Sequence, residues 1–280
     1  MLVVLVAACA APQAPETQAP AAPPKPVLRV GITPDYPPIV FMTSVDYAGV
    51  EIDLAQLLAQ ELGANVEFVV RPWNRLMPSL MEDEFDIIMS GMSITRARKV
   101  RIDFTDYYMK GGLLAAIRLR DSQKYTSVDD IASHQPSVSI GVVEGTTGDA
   151  YVQRSFPKAR RVALSKASDA VYDLKYGRID FFIHDAPSIV WIVAENETDF
   201  TVLPELLSEE YMAWGIRRGN DLLRHRVNEI LTKWKSDGTL NKVLAKWLPY
   251  YNPGTESLRY ETPGTVKGST PRRISPPSRK

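Results

Sequence analysis

An α/β fold of two similar lobes is what the sequence predicts, and three observations predict it. Short apolar runs alternate with amphipathic segments from residue 27 to residue 251, the pattern of strands and helices packed in layers. Segments 80–90 and 174–184 share one grammar: a helix end, a turn, Phe85-Asp86 or Ile179-Asp180, then an apolar strand. Leu28-Arg29-Val30-Gly31 is likewise answered by Val138-Ser139-Ile140-Gly141. Finally, 280 residues that are 45% hydrophobic and 24% charged suffice for one large core or two smaller ones.

Taken in order, Val27–Ile32 reads as a strand. Residues 33–38 hold Pro34, Pro37 and Pro38 and are expected to form an irregular loop. Ile52, Leu54, Leu57, Leu58 and Leu62 line one face of a helix that stops at Gly63, a favourable residue just past a helix end. A strand over 66–70, a helix over Trp73–Met81 and a strand over 85–89 follow. This β-α-β-α-β order with right-handed crossovers predicts a parallel sheet whose functional loops lie at the carboxyl ends of its strands. Later, a strand over 138–143 leads into the loop Glu144-Gly145-Thr146-Thr147-Gly148-Asp149, and four apolar residues with a histidine lead to Asp185.

Composition narrows the function. Lys+Arg 33 balance Asp+Glu 33, and no basic stripe interleaved with aromatics would gather nucleic acid. His134, His184 and His225 lack ligand spacing and Cys9 is the lone cysteine, so no metal, disulfide or cofactor is assigned. The loop at 144–149 lacks the glycine spacing and lysine of a phosphate-binding loop, and the sequon at Asn196 is given no role. No run of 18 apolar residues occurs. The opening Met1-Leu2-Val3-Val4-Leu5-Val6-Ala7-Ala8-Cys9 resembles the lipobox of bacterial lipoproteins, which implies a signal remnant at 1–8 and a lipid on Cys9. That run is short and has no preceding Lys or Arg, so the true start is expected upstream. Residues 9–26, rich in Pro and Ala, read as an extended tether, and 252–280 as a disordered tail.

Two loops carry the candidate site. Ser90, Gly91, Ser93, Thr95 and Arg98 combine backbone donors, hydroxyls at a helical start and a guanidinium, the parts that hold a carboxylate. The competing reading is a plain helix cap followed by solvated arginines, and Arg96, Lys99 and Arg101 are expected in solvent. Asp185, at the end of a buried strand, needs a cation or several hydrogen bonds. A ligand amine would serve, and so would a role capping the next helix. Small residues around Thr146 and Thr147 let backbone approach a ligand. Tyr36, Trp73 and Phe41 are candidate apolar walls, each also a candidate core residue. Glu144 and His184 suit a polar or cationic ligand, whereas Trp73, Met92 and Trp214 suit an apolar one.

Together, Gly31-Ile32-Thr33-Pro34-Asp35-Tyr36-Pro37-Pro38, Glu51-Ile52-Asp53-Leu54, Met89 to Thr95 with Arg98, Asp103-Phe104-Thr105-Asp106-Tyr107-Tyr108, Gly145-Thr146-Thr147 and Asp237-Gly238-Thr239 resemble the polar-amino-acid-binding proteins of ABC uptake systems. That family has the type II periplasmic-binding-protein fold. The resemblance implies two lobes, 27–111 with 212–251 and 112–211, each a mainly parallel sheet flanked by helices with the ligand in the cleft. It implies that Arg98 binds an α-carboxylate and Asp185 an α-amino group, with Ser90, Gly91, Ser93 and Thr147 beside them and Tyr36 and Trp73 against the side chain. It also implies a monomer, held at the membrane by its lipid alone, that hands a small amino-acid-like ligand to an ABC permease from a periplasmic or cell-surface position. The Met-Ser-Gly-x-Ser-Ile segment is equally similar to cyclohexadienyl dehydratase, an enzyme of the same fold that implies a glutamate just after the second-lobe Gly-Thr. Gly148 stands there, with Asp149 one residue beyond, so no catalytic residue is assigned. A ligand-sensing domain is the third reading.

Overall fold

A computed structural model describes residues 24–251. The expected signal remnant at 1–8, Cys9, residues 9–23 of the tether and the tail at 252–280 lie outside the described residues. No described helix is long and apolar enough to cross a membrane.

Two five-stranded sheets organise the chain. The first runs Asn65–Val70, Val27–Ile32, Ile87–Ile88, Gly215–Ile216, Asp103–Phe104. Its first two pairings are parallel and its last two antiparallel. The second runs Arg160–Leu164, Ser139–Val143, Phe181–Asp185, Leu113–Arg118, Phe200–Val202, with the same division. Each sheet is therefore mixed: its β-α-β-α-β half is parallel, as the crossover rule requires, and returning strands add the antiparallel half. Helices Val50–Glu61, Asp221–Asp237 and Thr239–Trp247 seal one face of the first sheet around Leu54, Leu58, Trp214 and Trp234. Helix Trp73–Met81 covers the other through Leu76 and Leu80. The chain passes between sheets through Met109–Gly111 and back through Glu210–Met212, and these two crossing strands pair antiparallel.

The sequence echo is an echo of contacts. Gly31 has no room for a side chain, because a Cβ would overlap the Phe85 ring, and a Cβ on Gly141 would overlap Ile179. Phe85 and Ile179 are the matched residues of the repeated grammar, and the aspartates after them also match. Asp86 Oδ2 accepts the Arg29 N–H at 2.8 Å and Asp180 Oδ2 accepts the Ser139 N–H at 2.9 Å. Each pair ties the start of one strand to the start of its parallel neighbour, which sets the register.

Residues 33–38 depart from expectation. Asp35–Tyr36 pairs with Val40–Met42, which pairs with Tyr47–Ala48, in a three-stranded ribbon. The prolines flank the paired residues, so their missing N–H groups cost the ladder nothing. The helix end at Gly63 is as expected, with φ +68°.

Gly31→Ala should destabilise the protein by roughly 1–3 kcal/mol, the usual cost of overpacking, read from urea unfolding. Adding Phe85→Leu should recover part of the loss. Equal stability of Gly31→Ala and wild type would refute the close approach.

Candidate functional site

Between the sheets lies a small cavity, about 490 Å³ when the open space at its mouth is included. Tyr36, Trp73, Ser90, Gly91, Ser93, Arg98, Thr146, Thr147 and Asp185 all line it, so these candidates from both loops are brought to one place, while Thr95 lies outside the lining. Thr33, Asp35, Val143, Ser165, Lys166, Ala167 and His184 complete the wall. Thr33 and Asp35 follow the carboxyl end of Val27–Ile32, and Ser165 to Ala167 follow Arg160–Leu164. The strand-end rule that found Ser90 and Asp185 would have found these as well.

One end is built for an anion. Thr95 caps the short helix Arg96–Lys99, its hydroxyl accepting the Arg98 N–H at 3.1 Å. This cap turns Arg98 inward, leaving it 7% exposed while Arg96, Lys99 and Arg101 face solvent. The Arg98 guanidinium donates to Ser93 O at 2.8 Å and Gly145 O at 3.4 Å, and its Cζ sits 5.2 Å from the centre of the Trp73 ring. No carboxylate among the described residues makes an ion pair with it. Burial lowers its pKa, and the charges of Asp185 and Glu210 oppose that shift. Two backbone donors lie alongside: the Ser93 and Thr147 N–H groups bond to nothing among the described residues. Thr147 opens helix Thr147–Ser155, where first-turn N–H groups lack internal partners. Its hydroxyl is already committed to Glu210 Oε2 at 2.9 Å.

The other end is built for a cation. Asp185 begins helix Ala186–Glu195 yet makes no capping bond to it, which removes the simple capping role. Its Oδ1 and the nearby Tyr36 hydroxyl are buried without a hydrogen bond of good geometry. Burial, then the charge of Glu210, push the Asp185 pKa up to about 8 against the pull of Tyr36 and Arg98. His184 does not neutralise it. The His184 Nδ1 accepts the Asp185 N–H at 2.7 Å, so that nitrogen carries no proton, and burial lowers the ring pKa to about 4. Gly91 offers less than expected, since its N–H donates to Glu51 Oε1 at 2.8 Å, away from the cavity. Ser90 Oγ accepts the Thr33 N–H at 3.0 Å.

Contacts across the gap hold the arrangement closed. Trp73 Nε1 donates to Gly145 O at 3.2 Å, and the Ala167 N–H donates to Asp35 Oδ2 at 3.1 Å. Other candidates lie elsewhere. Phe41 lies outside the cavity, packed on Trp191 at 6.0 Å and Trp247 at 5.8 Å. Met92 and Trp214 are core residues and Glu144 points elsewhere. Asp149 also misses the cavity: it pairs with Arg161 at 2.5 Å and accepts the Gly145 N–H at 3.0 Å. Burial alone would raise its pKa, but these partners together lower it, so it is a fixed carboxylate and a poor proton donor. Among the described residues no cluster of His, Cys, Asp and Glu is placed to hold a metal.

The family model for bacterial extracellular solute-binding proteins, family 3, matches residues 28–250. The histidine-binding periplasmic protein of Escherichia coli K12 is 30% identical over 234 residues, covering 80% of this chain and 88% of that one. Among solved structures, an ancestral amino acid-binding protein described as a precursor of cyclohexadienyl dehydratase superposes with TM-score 0.74 at 35% identity, covering 79% of this chain and 95% of that one. An ABC-transporter binding component from Wolinella succinogenes, complexed with lysine, gives TM-score 0.75 at 26% identity with coverage of 79% and 95%.

The Asp185 carboxyl makes a prediction for the protein without ligand. Its folded pKa stands above the unfolded value of 3.8, so the fold keeps a proton that the unfolded chain releases, and stability falls as pH rises from about 4 to about 8. Asp185→Asn should abolish that loss. Its melting temperature should exceed that of wild type by a margin that widens across this window, with a limit of about 1.4 kcal/mol per pH unit, and is constant above it. A margin that narrows with pH would show that Asp185 is not protonated in the fold.

Proposed function

Because the chain belongs to the bacterial extracellular solute-binding proteins of family 3, we propose that it captures an α-amino acid as the zwitterion and delivers it to an ABC importer. One observation carries the reading: among the described residues, a single cavity holds a buried guanidinium with no ion pair and a buried carboxyl whose Oδ1 has no hydrogen bond of good geometry. Neither group is fully partnered within the described residues, and a molecule bearing a carboxylate and an ammonium partners both once Asp185 releases its proton. The carboxylate meets Arg98 and the N–H groups of Ser93 and Thr147, while the ammonium meets Asp185. Charge-assisted bonds of about 1.5–3 kcal/mol each are strongest with the two bodies together, so the ligand favours the closed form by its differential affinity. We divide those bodies at 27–111 with 212–251 and 112–211.

The wall beyond the two charges mixes the polar Asp35, Thr33, Ser165 and Lys166 with the apolar Trp73, Tyr36, Val143 and Ala167, which suits a ligand side chain with an apolar stem and a polar end. A binder rather than an enzyme is the better reading, because Asp149, the carboxyl nearest to the place of a dehydratase acid, is locked to Arg161. An extracytoplasmic site with lipid on Cys9 completes the proposal.

Calorimetry with the twenty L-amino acids should find at least one tight ligand. Arg98→Ala and Asp185→Ala should each weaken it at least 100-fold in protein that still unfolds cooperatively, and normal binding by either variant would overturn the site. Since Asp185 must give up its proton to face an ammonium, wild-type affinity should rise with pH, approaching tenfold per unit below about 8, with a proton released to the buffer. Incubation with prephenate or arogenate should give no product, and turnover would replace the binding reading with the enzyme one.

A further inference from the structure

Glu51 sits in the first turn of helix Val50–Glu61, wholly buried and outside the cavity lining. A carboxylate at that depth is costly unless donors surround it, and three do. Oε1 accepts from the Gly91 N–H and the Tyr108 O–H, each at 2.8 Å, and Oε2 accepts from the Trp214 Nε1–H at 2.7 Å. Burial pushes its pKa up to about 7 against the pull of these three bonds.

The three donors come from distant parts of the chain. Gly91 belongs to the loop that lines the cavity. Tyr108 immediately precedes the crossing strand Met109–Gly111, and Trp214 follows the crossing strand Glu210–Met212. The loop is itself bonded to the second crossing segment, Ile94 N–H to Tyr211 O at 2.8 Å and Ala213 N–H to Met92 O at 3.0 Å. A trans peptide directs its N–H and C=O oppositely, so the bond from Gly91 N–H to Glu51 turns the Ser90 carbonyl away from Glu51. That carbonyl accepts no hydrogen bond among the described residues.

We propose that Glu51 is a positioning residue that ties the ligand-facing loop to both crossing strands through one buried carboxylate, so that seating a ligand and moving the crossing strands are a single event. The ligand half of this rests on reading the cavity as an amino-acid site; the coupling half does not. The carboxylate is required because all three neighbours donate. A glutamine would set its own NH₂ against one of those donors at almost unchanged volume.

The test uses the full chain as wild type, Glu51→Gln, Trp214→Phe and, as a destabilised control remote from the node, Leu174→Ala in the core of the other sheet. Hydrogen exchange without ligand is followed by calorimetry with the twenty L-amino acids. In Glu51→Gln the hydrogen-bonded amides of Gly91, Ile94, Ala213 and Trp214 should lose protection together, and affinity for the best wild-type ligand should fall at least tenfold. Leu174→Ala should keep both. Trp214→Phe, which deletes one donor and leaves two, should loosen 211–214 and lower affinity about threefold, and it decides the matter should Glu51→Gln fail to fold. Faster exchange confined to Gly91, affinity within twofold of wild type in both node variants, or equal losses in Leu174→Ala would overturn the proposal. Absence of any amino-acid binding by wild type would instead refute the ligand reading, and the exchange pattern alone would then decide the role of Glu51.

Discussion

A guanidinium removed from water with no counter-ion is the constraint around which the rest of the site is arranged. Arg98 keeps its charge at the cost of desolvation, and the described residues offer it two carbonyl oxygens and an indole face. One carbonyl, Gly145 O, comes from the other sheet, and the Trp73 indole beneath Arg98 donates to that same oxygen. Arg98 therefore depends for its surroundings on the two sheets being together. Asp185 poses the complementary problem on the far side, and the two residues mutually favour their charged forms across the cavity.

What could be read from the sequence was whatever short-range pattern determines. Arg98 and Asp185 were legible because each follows an apolar strand closely, and strand ends are where such folds place polar function. The doubled architecture was legible in Gly31 and Gly141 and in the Phe85-Asp86 and Ile179-Asp180 steps, which proved to be the interlocking parts. Phe41 stood open between core and pocket wall, and Met92 and Trp214 were offered as pocket residues, because an aromatic or thioether side chain suits either place in sequence. Only the packed neighbours, Trp191 and Trp247 for Phe41, decide the matter. Glu51 was invisible as a functional residue, since its partners lie 40, 57 and 163 positions away. The state of Asp149 was beyond sequence for the same reason: its ionisation is set by Arg161 on the neighbouring strand, twelve positions on.

Two lobes that share a scaffold need not share chemistry. In each, a glycine-bearing strand and its parallel neighbour deliver their carboxyl ends to the gap, held in register by an aspartate bonded to a strand-start N–H. From that common frame one lobe presents Ser90, Ser93 and Arg98, and the other presents Thr147 and Asp185. Pairing a donor-rich loop with an acceptor-bearing one gives the gap a polarity from end to end, which fixes the orientation of any dipolar guest.

The bond from Ala167 N–H to Asp35 reaches beyond its own geometry. Helix Ala167–Lys175 has no side-chain cap from its own sequence, so its first turn is completed by a carboxylate from the opposite lobe. Helix caps are worth about 0.5–2 kcal/mol, and any separation of the sheets exchanges this one for water. The empty protein thus carries a resting bias toward closure. Every 1.4 kcal/mol of such bias is about tenfold in the closed population, and the threshold concentration at which the protein responds is set partly by a helix cap that forms before any guest arrives.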